Sequence, residues 1–265
     1  MLPLESDVID RALESGDPTA AAEAFREIDL RFQSLTSVRE RADLLMRKAV
    51  LYEKVGRVDD ARKQLRAALA EAPDDPDVRL QFDYIEGSIY HQEENFGEAF
   101  TRLTAVLSKY HGRLALPTFR FVYEDIQQQR AFELFRLEKF DEAAPLFTEC
   151  LSFAMKPTDR GSALASLGIC CAKLKKYEEA KDWLLQACKM GVTKEWEGHV
   201  HFYLAFTYGQ MQLLRESKRE FQICEERASE YHLPLQQLYG WLSRICGLLG
   251  EKAESERYAR LARPC

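Results

Sequence analysis

The sequence predicts an all-α chain of stacked helical hairpins, and three observations carry that prediction. Small residues recur along the whole length at Ala21, Ala61, Ala99, Ala143, Ala180, Ser217 and Ser255, at intervals of 40, 38, 44, 37, 37 and 38. Most are followed four positions later by a bulky residue, as in Phe25, Leu65, Leu103, Phe147, Leu184 and Phe221. A recurrence of this length marks one two-helix unit stacked repeatedly, because a lone hairpin cannot bury its apolar face. Composition agrees: 46% hydrophobic and 30% charged residues, with 9 prolines and 13 glycines in 265, describe a folded, helix-rich chain with ample core material. Because a stack grows end to end, a single array over 1–265 is expected, with units at approximately 2–40, 41–78, 79–115, 116–158, 159–196, 197–234 and 235–265.

The first unit has a short helix carrying Glu5, Asp7 and Asp10, then Gly16-Asp17-Pro18 and a helix with Ala21 and Phe25. Its polar outer face is expected to meet water, as the end of a stack must. In the second unit Leu45, Ala49 and Tyr52 precede a turn at Gly56, and Val58, Ala61, Leu65, Ala68 and Leu69 follow it. Pro73 and Pro76 are expected to stop that second helix. Gly87, Tyr90, Phe96, Ala99 and Leu103 repeat the arrangement. The longest interval contains His111 to Pro117 and then Phe119, Phe121 and Tyr123, which form either an extended loop or an elongated first helix. Its aromatics are expected to seal the joint between units. Phe140, Ala143 and Phe147 begin the second helix of the fourth unit.

The fifth unit shows the pattern most fully. Leu164, Leu167, Gly168 and Cys171 share one helical face, Tyr177, Ala180, Leu184 and Ala187 share the next, and the two helices meet at Lys175-Lys176. Gly168 and Ala180 are small where the helices must approach closely. His201, Leu204, Ala205, Tyr208 and Met211 form the core stripe of the sixth unit. In the last, Gly250 precedes Ser255 and Ala259, and a run of charges from Glu251 to Arg260 gives a polar outer face.

These residues resemble the tetratricopeptide repeat, with its Leu-Gly or Leu-Ala pair, an aromatic three residues on, a small-x-x-x-bulky step and a closing proline. The intervals of 37 to 44 exceed the roughly 34 residues usual for that repeat, so longer helices or loops are implied. The resemblance implies a right-handed superhelical α-solenoid of about seven units whose first helices line an inner groove. It also implies a non-enzymatic scaffold for a protein or peptide. The family's lysine and asparagine clamp for chaperone tails is missing, since the corresponding region offers Met46, Val50, Tyr84 and Ser88.

Several first helices carry a second stripe beside the core stripe. Groove candidates are Tyr84 and His91 in the third unit; Gln128, Phe132, Phe135 and Arg136 in the fourth; His199, Phe202, Phe206 and Gln210 in the sixth; and Trp241 and Arg244 in the seventh. Rings among glutamine, histidine and arginine donors suit a peptide groove, because rings supply buried area and polar tips fix register. An amphipathic helix or an extended apolar peptide flanked by Arg136 and Arg244 is the expected partner. The competing reading is that this stripe packs one unit against the next. A second function class is a ligand- or peptide-sensing regulatory domain acting on an attached or separate effector, and self-association by end-on stacking is a further possibility.

Other classes are disfavoured. A net charge of −6 with interspersed bases argues against nucleic-acid binding. No run suits a membrane span, and Met1 to Arg11 lacks the pattern of a secretory signal, so a cytoplasmic, reducing location is expected. The 7 cysteines include no CxxC pair. Cys171 and Cys246 occupy the slots of Tyr52, Tyr90 and Tyr208, and Cys150 and Cys224 those of Ala68 and Ala187, which makes them core residues; Cys265 is expected to be exposed. His199 and His201 are two apart and do not face each other on a helix, so no metal site is expected. No cofactor or catalytic motif is visible.

Overall fold

A computed structural model describes residues 8–15, 17–153, 156–231 and 234–263. The expectations for Glu5, Asp7, Gly16 and Cys265 lie outside the described residues. All regular structure among the described residues is helical, and the helices pack in consecutive pairs. The chain divides into two compact units, one ending at Glu133 and the other beginning at Leu134.

The first unit contains α1 (Val8–Ser15), α2 (Pro18–Ser34), α3 (Val38–Lys54), α4 (Val58–Glu71), α5 (Pro76–Gln92), α6 (Phe96–Lys109) and the single turn α7 (His111–Leu114). A 3-10 turn over Pro117–Phe119 leads into α8 (Arg120–Arg136), which supplies residues to both units. Short polar side chains start several of these helices. Asp17 accepts from the Ala20 amide at 3.0 Å, and Asp75 accepts from Asp77 and Val78 at 2.8 and 3.2 Å. Pro76 opens α5 instead of closing α4, because at the first helical position its missing N–H costs no hydrogen bond. The helix α4 already ends at Glu71, ahead of Pro73.

The second unit contains α9 (Phe140–Cys150), α10 (Pro157–Lys173), α11 (Tyr177–Met190), α12 (Lys194–Gln210), α13 (Leu214–Glu226), the single turn α14 (Ala228–Tyr231), α15 (Leu235–Leu248) and α16 (Lys252–Leu261). Helix α10 is buried from Gly161 through Ala172. A helix enclosed this completely is apolar or small on every side, and the Ser162 and Ser166 hydroxyls donate to carbonyls one turn back within it.

One turn occurs six times among the described residues, and it explains the period. Gly56, Glu94, Glu138, Lys175, Gln212 and Gly250 all have positive φ, between 58° and 79°. The next residue donates its N–H back to the carbonyl five positions earlier, as in Arg57 to Tyr52 at 2.8 Å, Lys176 to Cys171 at 2.8 Å and Glu251 to Cys246 at 2.9 Å. That bond is the outer one of a Schellman C-cap. The carbonyl of the same residue then accepts the first bond of the following helix, from Ala61, Ala180 and Ser255 in those three turns. A single residue thus closes one helix and opens the next, which fixes the small residue five positions after each left-handed one.

Close approach explains why it is small. The Ser217 hydroxyl donates to the Ala205 carbonyl at 2.7 Å, and Ser243 and Ser255 exchange hydroxyl-to-carbonyl bonds at 2.9 Å. On the facing helix a Cβ at Gly168 would lie 2.7 Å from Leu184 Cγ. The length beyond the usual repeat is mostly helix: α3, α5, α8, α10 and α12 each have 17 residues. The 44-residue interval instead holds α7 and the 3-10 turn, so it is a folded connection and not an elongated helix. Tyr110 and Leu114 within it are buried with Val122 and Ile126, and Phe119 and Tyr123 pack on that cluster. Phe121 departs from the expected sealing role, with 67% of its surface exposed.

Candidate functional site

The repeated turn gives every first helix the same register, and the residue two positions before the left-handed one identifies a common face. Those residues are Lys54, Gln92, Arg136, Lys173, Gln210 and Leu248. In the first unit this face forms a groove of about 430 Å3 lined by residues that include Leu13, Met46, Val50, Lys54 and the exposed Phe121. Two of its cations are already neutralised: Arg39 pairs with Asp43 and Asp75, and Arg47 with Asp10.

The two predicted groove residues of α5 join it to α8. Tyr84 donates its hydroxyl to Asp125, and His91 bonds Glu133 through Nδ1. Between them Ser88 donates to Gln129 at 3.1 Å, while Gln92 donates to Glu53 of α3 at 2.8 Å. Burial, reinforced by the Asp125 charge, holds the Tyr84 phenol well above its ordinary range. Burial likewise raises the Glu53 carboxyl. Polar bonds between successive first helices therefore occupy Tyr84 and His91, and the side chain that bonds Ser88 is Gln129. Gln128 and Phe132 are half-buried on the same helix.

In the second unit, Phe135, Arg136, Ile169, Trp196, His199 and Tyr203 surround a cavity of about 150 Å3. They come from the end of α8, from α10 and from α12. The Phe135 and Trp196 ring centroids are 6.2 Å apart, and Trp196 and His199 are 5.9 Å apart. The Lys173 ammonium lies 5.8 Å from the Tyr203 ring centroid and 5.6 Å from that of Phe140. Three predicted residues, Phe135, Arg136 and His199, meet here, and sequence reasoning missed Trp196, Tyr203 and Lys173. The signal was present, since Trp196, His199 and Tyr203 are three and four apart and share a helical face.

Phe202 is not part of this lining. It is 8% exposed and packs edge-on to Phe221 at 5.5 Å inside the core that contains Leu238 and Leu242. Phe206 is partly buried between Tyr203 at 6.4 Å and Trp241 at 5.2 Å, and Gln210 is half-buried. Trp241 stacks on Phe221 at 6.3 Å, with the Arg244 guanidinium 5.5 Å from its ring centroid. The stripe of α12 therefore divides, with His199 and Tyr203 facing the cavity and Phe202 filling the joint with α13 and α15.

Burial pushes the thiols of Cys150, Cys170, Cys224 and Cys246 up to about 12, far from the thiolate a nucleophile or metal ligand needs. Cys246, Glu251 and Glu254 converge closely enough to hold a metal ion. The Lys218 ammonium already bridges both carboxylates, at 2.7 and 2.5 Å, and supplies the positive charge. His199 and His201 diverge, because His201 bonds Glu220 at 2.7 Å and stacks on Tyr231. No helix among the described residues is long and apolar enough to cross a membrane.

Repeated hairpins in one register, with first helices that share a face, define a helical repeat protein. The tetratricopeptide repeat family model matches residues 12–81, and a second tetratricopeptide repeat model matches residues 161–190. Those stretches carry tetratricopeptide repeats, and the fold agrees over most of the chain; tetratricopeptide repeat domains generally serve as protein-interaction scaffolds and are typically non-catalytic. Among solved structures it is similar to the apo form of RapI, at 9% identity over 97% of this chain and 76% of that one, with a TM-score of 0.67. It is also similar to a signal transduction ATPase from Pyrococcus horikoshii that has a tetratricopeptide repeat sensor, at 13% identity, 96% and 40% coverage and a TM-score of 0.66. PilW, a type IV pilus biogenesis factor, matches at 18% identity, 83% and 91% coverage and a TM-score of 0.57. No curated protein sequence matches this one.

Proposed function

We propose that this protein is a non-enzymatic peptide-binding scaffold and that the cavity of the second unit is its recognition site. One observation carries the reading. Three successive first helices send Phe135, Arg136, Ile169, Trp196, His199 and Tyr203 to one cavity, with rings at its wall and cationic or titratable groups at its rim. Rings provide buried contact area and the polar tips orient a chain, which is the division of labour found in peptide grooves.

A random peptide display library panned on the intact chain tests it. Enriched peptides should lose binding to a Phe135→Ala, Tyr203→Ala variant whose circular dichroism matches the parent. Enrichment that persists on that variant, or that depends on Met46 and Val50, would move recognition away from this cavity.

A second reading, a sensory domain that regulates an effector, draws on the likeness to the Pyrococcus horikoshii protein with its tetratricopeptide repeat sensor. Both readings use the same groove. They differ in whether occupancy alters a second protein's activity.

A further inference from the structure

The cavity lined by Phe135, Ile169, Trp196 and Tyr203 measures about 150 Å3, a volume known to hold one benzene-sized group. It therefore takes one ring or one branched aliphatic side chain, and not the face of a helix. None of the six lining residues is acidic, Arg136 and His199 are exposed, and the Lys173 ammonium stands over the Tyr203 ring.

Arg136 has no hydrogen-bond or ion-pair partner among the described residues, and Lys173 has no carboxylate partner there. Elsewhere in this acidic chain several guanidiniums bridge helices by pairing with carboxylates: Arg41 with Glu71, Arg47 with Asp10 and Arg113 with Asp77. A planar guanidinium left unpaired beside an apolar cavity is arranged to receive a carboxylate in bidentate fashion.

We infer that the ligand is a peptide segment in which one aromatic or branched apolar side chain fills the cavity and an immediately adjacent carboxylate pairs with Arg136. Lys173 adds a second positive charge from the same side. The carboxylate comes from an acidic side chain or from a chain terminus, which present the same group. This inference rests on the peptide-binding reading above and adds the chemistry of the ligand to it.

Rhodamine-labelled hexapeptide pools, read by fluorescence anisotropy against the intact chain, test the inference. One amidated pool fixes phenylalanine at the third position and aspartate at the fourth, and a matched pool carries asparagine in place of aspartate. A third pool ends in phenylalanine with a free carboxylate, and a fourth is its amide. At least one carboxylate pool should bind about tenfold more tightly than its neutral match, as a charge-assisted hydrogen bond to a guanidinium provides. The Arg136→Gln variant, altered at an exposed position, should remove that difference.

Which pair shows the Arg136-dependent gain identifies the source of the carboxylate. Equal binding of charged and neutral pools, with both lost in Tyr203→Ala, would overturn the carboxylate and leave the groove reading standing. Failure of every pool to bind, or binding indifferent to both Tyr203→Ala and Arg136→Gln, would overturn both.

Discussion

The contact between Gly168 and Leu184 gives a prediction whose sign changes with background. A Cβ placed on Gly168 would lie 2.7 Å from Leu184 Cγ, 3.0 Å from its Cδ2 and 3.1 Å from its backbone nitrogen. Leu184 is fully buried, so its side chain has little room to yield. Gly168→Ala should therefore incur an overpacking cost of about 1–3 kcal/mol, offset by the ~1 kcal/mol better helix propensity of alanine. The net loss expected is about 1 kcal/mol. Leu184→Ala alone should cost about 2–5 kcal/mol through the cavity it leaves. In that background the clashing carbons are gone, and Gly168→Ala should be neutral or stabilising by up to ~1 kcal/mol. Urea unfolding followed by circular dichroism, on the four proteins of the cycle, measures the coupling. If Gly168→Ala costs the same in both backgrounds, the small residue is not there to admit Leu184, and the packing account of the repeat fails. Gly87, whose Cβ would lie 2.7 Å from Leu103 Cδ2, should behave in the same way.

Gly161→Ala should be more damaging, exceeding the ~3 kcal/mol of ordinary overpacking, because the new carbon would sit 2.0 Å from the backbone oxygen of Gly191; thermal melting reads this directly. In the repeated turns, Gly56→Ala should lower stability by about 1 kcal/mol at its φ of 76°, whereas a Lys175→Gly exchange at φ 62° should not, as denaturant midpoints will show. Glu93 is held below the ordinary carboxylate range by its paired bonds to Arg62 at 2.6 and 2.8 Å. Its stabilising contribution is therefore complete above the unfolded carboxylate pKa of about 4.3 and is lost as pH falls through the lower folded value, so Glu93→Gln should flatten the acid limb of a stability–pH profile. The thiols of Cys150, Cys170, Cys224 and Cys246 should resist a maleimide at pH 8 until denaturant is added, whereas fast labelling at any of these four positions in the native chain, located by peptide mass mapping, would contradict their burial.

The hairpins could be read from the sequence because the turn chemistry and the packing share one spacing. Ala180 marks the closest approach of α10 and α11 and also follows Lys175 by the five residues that the turn requires, so a single-residue pattern reported two constraints. Pro76 was misassigned because proline terminates one helix and begins another equally well, and only the Asp75 cap distinguishes the cases. The site was less accessible. Whether a ring on a first helix faces the groove or the neighbouring helix depends on a rotation of about 100° per residue. Phe202 and Tyr203 differ by one such step, and the sequence offers the same type of side chain at both. Tyr84 and His91 looked like ligand contacts because their acceptors, Asp125 and Glu133, lie about forty residues away and are found only once α5 and α8 are adjacent.

The six identical turns also govern where this chain tolerates change in length. Within each hairpin one residue caps both helices, so adding or removing a residue there would break a C-cap, an N-cap and the alignment of the close contact together. The connections from one hairpin to the next carry no such double duty, and the one departure of the interval to 44 residues falls there, as α7 and the 3-10 turn. A loop, tag or reporter grafted at such a seam leaves those turns intact, and so does a whole hairpin added there. Growth by complete units, with novelty admitted only at the seams, is built into the backbone of the turn.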